Sequence, residues 1–458
     1  MSNKDTRIIV VGAQAAGLGA AAAAKKTDRR ATVTVLERSI YASSSPCGLP
    51  YFIGGEIEDV KKLTFAEPNV IRDKMGIDLR LKHEVLAIDT EAKSVTGHDI
   101  SADRQYELGY DRLILATGAS PKVPPVGGVE ADAVFTLRNI GDALSIKEFI
   151  KANSPGRAVV VGAGFIGLEM VEALTRLGLD VTLIEMLPQI LVNMDQDMAE
   201  VVRQRLEERG VRVLTDSPLE EVFCDGDGRV VSVQAKGEKV EADLVILALG
   251  VAPNVASAAA AGITIGEYGA IVADDRQRTS GPDVFAAGDC CQARHIVTGR
   301  QAYMPLATIA EKQAKIAGEN AAGADSRFAG ILGTGISAAF GLVFASTGLT
   351  VQAAKSLGLE ARAQGFMGHS HAAYYPNPKP LRLKIVFDPK TGKLLGAQAV
   401  GEEGVVARIN AFIAAIHAGL TVKDLAQLDL PYAPPFGSSW DPIHIVATMA
   451  QRRIAVGG

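Results

Sequence analysis

Ala158-Val159-Val160-Val161-Gly162-Ala163-Gly164-Phe165-Ile166-Gly167 opens as an apolar run and breaks into three glycines spaced G-x-G-x-x-G. The run predicts a buried parallel strand; a helix follows to Leu177, then a second strand, Asp180 to Ile184, ending at Glu185. This is a βαβ unit in which each glycine has its own task. Gly162 permits the tight turn, Gly164 lets a phosphate approach the backbone, and Gly167 lets the helix lie close to the strand. Phe165 and Ile166 open the helix, whose first amides face the phosphates, and Glu185 stands where a carboxylate accepts from a ribose hydroxyl.

A second copy lies upstream. Arg7 to Val11 reads as a buried strand, followed by Gly12, Gly17, an alanine-rich helix through Ala24, and a strand Ala31 to Leu36 ending at Glu37 with Arg38 beside it. Gln14 occupies the place of the middle glycine. Two fingerprints about one domain length apart point to an α/β protein with two Rossmann-like units and two bound dinucleotides.

Length and charge narrow the rest. A chain of 458 residues with 48% hydrophobic content divides into two or three domains. A net charge of -5 and no long Lys/Arg run argue against a nucleic-acid partner. The polar start Met1 to Arg7 leads straight into a strand, which predicts no leader and a cytoplasmic protein. The most membrane-like stretch, Ile331 to Ala354, is broken by Gly333, Gly335, Gly341 and Gly348 and suits a buried strand pair better than a span, so no membrane partner is expected. Cys47, Cys224, Cys290 and Cys291 show no C-x-x-C or zinc spacing, and no metal is expected. Cys224, among turn residues, and the Cys290-Cys291 pair read as small packing residues.

Two further strands end in turns that suit a nucleotide. Leu113 to Ala116 runs into Thr117-Gly118, and Asp283 to Ala287 into Gly288-Asp289, whose carboxylate can reach a ribityl hydroxyl. Gly250 is a further cofactor-binding candidate, grouped with the Gly162–Glu185 unit. Pro305-Leu306-Ala307-Thr308 opens a helix, with proline near its first turn, whose amides can stabilise a reduced flavin. Cys47, in Ser43-Ser44-Ser45-Pro46-Cys47-Gly48, follows closely after Glu37 and has no cysteine neighbour at dithiol spacing. If Cys47 is a redox sulfur, its partner sulfur or oxygen comes from the substrate or from its own oxidation, and its resting form is a mixed disulfide or a sulfenate.

With these motifs in this order, the chain resembles the pyridine nucleotide-disulfide oxidoreductase family over nearly its whole length. The resemblance implies an FAD domain from residues 1–118 and 250–326, an NAD(P)H domain from 119–249, and an α+β dimerisation domain from 327–458 in a homodimer. Ser43-x-x-x-Cys47 resembles the single-cysteine branch, which commonly lacks the middle glycine and includes coenzyme A disulfide reductases, persulfide and polysulfide reductases, NADH oxidases and NADH peroxidases. The oxidase and peroxidase members usually carry a histidine where this chain has Ala15, which shifts weight to disulfide, persulfide or polysulfide substrates.

Tyr432-Ala433-Pro434-Pro435-Phe436 resembles the motif whose tyrosine enters the other subunit's active site, and Tyr374-Tyr375-Pro376 resembles the segment that supplies its companion. The implied catalytic residues are Cys47, Tyr432 and Tyr374, with Tyr375, Lys25 and Lys26 on the substrate. Two alternatives stay open: Tyr432 as a turn tyrosine packed on prolines, and the lysine pair as a solvated last helical turn favoured by the dipole. His444 reads as structural. The implied cofactors are FAD and NADH, with NADPH left open, and coenzyme A as substrate or bound adduct. Besides these enzymes, a flavoprotein redox sensor is the competing class.

Overall fold

The structure is a computed structural model that describes residues 5–454. β1 (Arg7–Val11) runs into α1 (Ala15–Thr27) and β2 (Thr32–Glu37), after which come the Cys47 loop, α2 (Leu49–Ile53), α3 (Pro68–Met75), β3 (Asp78–Leu81) and β4 (Arg112–Leu115). β1 is parallel to β2 on one side, with Val11 opposite Leu36, and to β4 on the other, with Val11 opposite Leu115. All but the first residue of β1 are buried, as a strand covered on both faces requires.

β5 (Ala119–Pro121) carries the chain into a second unit of β6 (Val134–Thr136), α4 (Ile140–Asn153), β7 (Arg157–Val161), α5 (Phe165–Arg176), β8 (Asp180–Ile184), α6 (Gln196–Glu208), β9 (Arg212–Leu214) and β10 (Leu244–Leu247). Its parallel sheet has the order β9-β8-β7-β10-β6. Cys224 ends a strand here, Leu219–Cys224, and is not a turn residue as its neighbours suggested. β11 (Val251–Pro253) brings the chain back antiparallel to β5, so the two crossings lie side by side.

β12 (Val284–Ala286) then completes the first sheet in the order β12-β4-β1-β2-β3. α7 (Ala307–Ala321) packs on α1 through small residues: a Cβ on Gly318 would stand 2.1 Å from the Ala20 carbonyl oxygen. Pro305 lies just outside this helix, directly ahead of the N-cap Leu306 and so near the first turn as expected. There it biases Met304 away from helical angles and helps set where the helix starts.

The rest is an antiparallel sheet of β13 (Gly335–Ala339), β14 (Leu342–Gly348), β15 (Arg362–His369), β16 (Pro380–Phe387) and β17 (Leu394–Gly401), with α8 (Val405–His417) and α9 (Pro442–Gln451) packed on it. The apolar stretch from Ile331 supplies the hairpin β13–β14, and no helix among the described residues is long and apolar enough to cross a membrane. α5 and α6 rest on this sheet. Phe165 stacks on Phe344 with ring centroids 6.2 Å apart, and Lys384 pairs with Asp195 and Asp197.

Candidate functional site

The two glycine turns have the same construction. A Cβ on Gly12 would stand 2.3 Å from the Ala116 carbonyl oxygen and one on Gly17 1.8 Å from the Gly12 carbonyl oxygen; for Gly162 and Gly167 the corresponding distances are 2.4 Å to Ala248 and 1.9 Å to Gly162. Backbone therefore fills these four positions. Gly164 is the opposite case: it is exposed, and a Cβ there would meet nothing within 4 Å. That open face in front of a helix N-terminus fits a pyrophosphate. The Phe165 ring turns away to Phe344, so this residue serves the turn through its backbone. Both acidic residues brace their turns as well: Glu37 accepts from the amides of Ala13 (2.8 Å) and Ser39 (2.9 Å), and Glu185 from those of Ala163 (2.8 Å) and Leu187 (2.9 Å). Arg38 is exposed beside Glu37.

Gln14 has a different task from the glycine it replaces. Its Oε1 accepts from the Ser44 hydroxyl (2.6 Å) and amide (3.1 Å), and its Nε2 donates to the Tyr41 carbonyl (3.1 Å). It ties the first turn to the loop that carries Cys47. The loop is held again by Ser43 N–H donating to Ala13 and by Phe65 N–H donating to Ser43. Ser43 itself sits at φ 58°, in the left-handed region, which turns the chain sharply toward Cys47.

Cys47 stands where three parts of the molecule meet. Its thiol pKa is pushed up, first by burial and then by the Glu169 carboxylate, while the Arg138 guanidinium pulls it down and Asp289 adds to the rise. Asp289 belongs to the first unit, Arg138 precedes α4, and Glu169 lies one turn into α5. Cys47 is nevertheless exposed as a residue. Cys290 and Cys291 are buried, and Cys290 donates weakly to the carbonyls of Leu115 and Ala287, each at 3.4 Å.

Four residues here escaped sequence reading. Arg138 pairs with Asp289 at 2.7 Å, and Tyr303 donates to the Asp289 carbonyl at 2.8 Å. Asn254 clasps the crossing strands: Thr117 Oγ1 donates to its carbonyl at 2.6 Å, its Nδ2 donates back to the Thr117 carbonyl at 3.0 Å, and its amide donates to Gly118. Gly250, at φ 81°, opens the returning strand, and Gly288 donates its amide to Gln313 at 3.0 Å in the packing of α7 that starts at Ala307. Glu169, in Gly167-Leu168-Glu169, is half-buried and its pKa is raised by burial, opposed by the Ser337 hydroxyl, which donates to it at 2.8 Å. Its signal was a lone acid directly after an apolar first turn.

At the far end of the chain, the phenols of Tyr374 and Tyr432 lie 2.5 Å apart, and Tyr375 is 40% exposed beside them. Tyr432 is exposed at 47%. His444 takes the Leu428 carbonyl as its partner at 2.7 Å. Lys25 and Lys26 are near the first turn in sequence only. They sit at the opposite end of α1, about 15 Å away at 1.5 Å per residue, where Lys25 donates to the Arg29 and Ala31 carbonyls, each at 2.9 Å. With Arg29 and Lys74 they line a hollow of about 510 Å³ at the end of α3.

Comparison with known proteins agrees with this arrangement. Residues 6–314 match the pyridine nucleotide-disulphide oxidoreductase family, and residues 337–442 its dimerisation domain. An NAD(P)H sulfur oxidoreductase (CoA-dependent) of Pyrococcus furiosus is 37% identical over 442 residues, 96% of this chain and 98% of that protein. A coenzyme A disulfide reductase of Staphylococcus aureus is 33% identical over 97% of this chain and 100% of its own length. The structure of an NAD-dependent persulfide reductase from A. fulgidus superposes with a TM-score of 0.94 at 37% identity, covering 97% of this chain and 83% of that one. The matched family depends on FAD and NAD(P)H, and the two turns built here fit both. The chain belongs to the pyridine nucleotide-disulphide oxidoreductase family.

Proposed function

We propose that this protein reduces a low-molecular-weight disulfide, with coenzyme A as the thiol, through Cys47. The observation that carries the reading is the setting of Cys47: an exposed cysteine on which Asp289 of the Gly-Asp motif, Arg138 and Glu169 of α5 all act. FAD is assigned to residues 1–118 and 250–326, held by Gly12, Gly17, Glu37, Arg38, Ser43, Thr117, Gly118, Gly288, Asp289 and Ala307. NAD(P)H is assigned to 119–249 with Gly250, at Gly162, Gly164, Phe165, Ile166, Gly167 and Glu185. Residues 327–458 form the homodimer.

Bound flavin supplies electron-pair transfer from a nicotinamide to a nearby sulfur–sulfur bond. Cys47 is the sulfur that takes the pair: its disulfide to coenzyme A opens, leaving a Cys47 thiolate and a coenzyme A thiolate. The Cys47 thiolate then attacks the substrate disulfide, one thiolate leaves, and the mixed disulfide forms again. Each departing thiolate takes a proton or hydrogen bond from the phenol pair Tyr374–Tyr432 of the second subunit. Tyr375 lines the approach. The phosphates of coenzyme A are assigned to the hollow of Lys25, Lys26, Arg29 and Lys74, a predominantly basic site that Asp73 also lines.

A persulfide or polysulfide on coenzyme A is the second reading, supported by the A. fulgidus persulfide reductase at 37% identity. Mass spectrometry of the unreduced protein tests both. An adduct of coenzyme A mass on Cys47, removed by reductant, is expected. Sulfenic or sulfinic acid at Cys47 together with rapid oxygen consumption would replace the reading with an oxidase.

A further inference from the structure

We propose that Ser337, from the C-terminal sheet, is a positioning residue of the redox centre: its hydroxyl holds the Glu169 carboxylate in place on the α5 side of Cys47. The proposal rests on the reading of Cys47 as the redox sulfur. Ser337 is 7% exposed in β13, and its Oγ donates to Glu169 Oε1 at 2.8 Å. α5 packs on β13 along this contact, and the neighbouring Phe340 amide donates to Glu172 Oε2 at 3.0 Å. Gly335 keeps its own position clear for the Phe165 ring, which a Cβ there would meet at 2.4 Å. One edge of the C-terminal domain is thus shaped to seat the start of α5 and to grip its acid.

The grip matters because Glu169, in the helix that the glycine turn opens, is the charged group that acts most on the Cys47 thiol. Its carboxylate disfavours the Cys47 thiolate, since like charges repel. The titratable groups around Glu169 are Glu172 on its own helix, held by Arg176, and from other elements Cys47 and Tyr51, with Glu56 behind them paired to Arg176. None of these offers Glu169 a positive charge. Ser337 is the donor that opposes the effect of burial on it.

The test reads this charge without turnover. Alkylation of Cys47 by the neutral reagent iodoacetamide is followed against pH at the Cys47 peptide by mass spectrometry, in flavin-loaded protein reduced and freed of reductant. Below the Glu169 pKa the acid is neutral and the thiolate forms more easily; above it the carboxylate opposes the thiolate. The logarithm of the rate therefore bends to a lower slope where Glu169 ionises. Loss of the Ser337 hydrogen bond raises that pKa, so Ser337→Ala moves the bend up by about half a unit to one unit. Ser337→Thr, which keeps the hydroxyl, returns it, and Glu169→Gln abolishes it and speeds alkylation above it. A bend that stays put in Ser337→Ala, is absent from the wild type, or survives in Glu169→Gln overturns the proposal. The functional reading fails separately, through disulfide turnover that persists without Cys47, and that result would leave the bend unchanged.

Discussion

Glu185 carries its charge at the end of β8, with both oxygens already accepting from backbone amides and lone pairs left for a ribose hydroxyl. A 2′-phosphate there would meet a carboxylate. Arg203, the nearest arginine that follows in sequence, is engaged with Glu207 at 3.0 Å. The repulsion at a partly exposed site is about 1–3 kcal/mol, so kcat/KM should favour NADH over NADPH by about 10- to 100-fold. Steady-state assays with both nucleotides check this, and equal or better efficiency with NADPH would reverse the assignment. Glu185 was legible because its partner glycines stand at fixed short spacing. Arg138, Asn254 and Ser337 were not, since each acts on a residue more than a hundred positions away in sequence, Asp289, Thr117 and Glu169 respectively. Only the folded chain brings such pairs together.

At the scale of an element, α5 makes the glycine argument testable on one helix. Gly164→Ala places its methyl in open space, so the fold and the FAD content should be unchanged. What it obstructs is the approach of phosphate to the helix amides. Losing charge-assisted hydrogen bonds of about 1.5–3 kcal/mol raises the KM for NADH by about 10- to 100-fold. Gly167→Ala drives a methyl to 1.9 Å from the Gly162 carbonyl oxygen, so the helix must shift from β7. Overpacking of this kind costs about 1–3 kcal/mol, and the melting temperature should fall along with nicotinamide binding. Equal melting of the two variants would contradict this division of labour. The βαβ units were legible for the same reason, because their glycine spacing is local. The seating of α5 on β13 and β14 was hidden, since Phe165 reads as an ordinary helix opener until Gly335 and Phe344 are seen beneath it.

At the scale of the whole molecule, Tyr374 and Tyr432 are exposed to 74% and 47% while their phenols share a hydrogen bond, an arrangement suited to reaching into another subunit. Tyr432→Phe should slow disulfide turnover by about 10- to 10⁴-fold, the range for loss of an acid–base group. Exchange of subunits between that variant and Cys47→Ser gives heterodimers with one doubly damaged and one intact site. Up to about half the wild-type activity should return per heterodimer; with exchange verified and no recovery, Tyr432 does not act across the interface. If Cys47 takes its electrons from the flavin, it is needed only after the flavin has been reduced. Rapid mixing of the flavin-loaded Cys47→Ser variant with NADH reads flavin bleaching, and later addition of coenzyme A disulfide reads reoxidation. Bleaching at close to the wild-type rate and no disulfide-dependent reoxidation are expected. Reoxidation by the disulfide at more than a small fraction of the wild-type rate would contradict this role of Cys47.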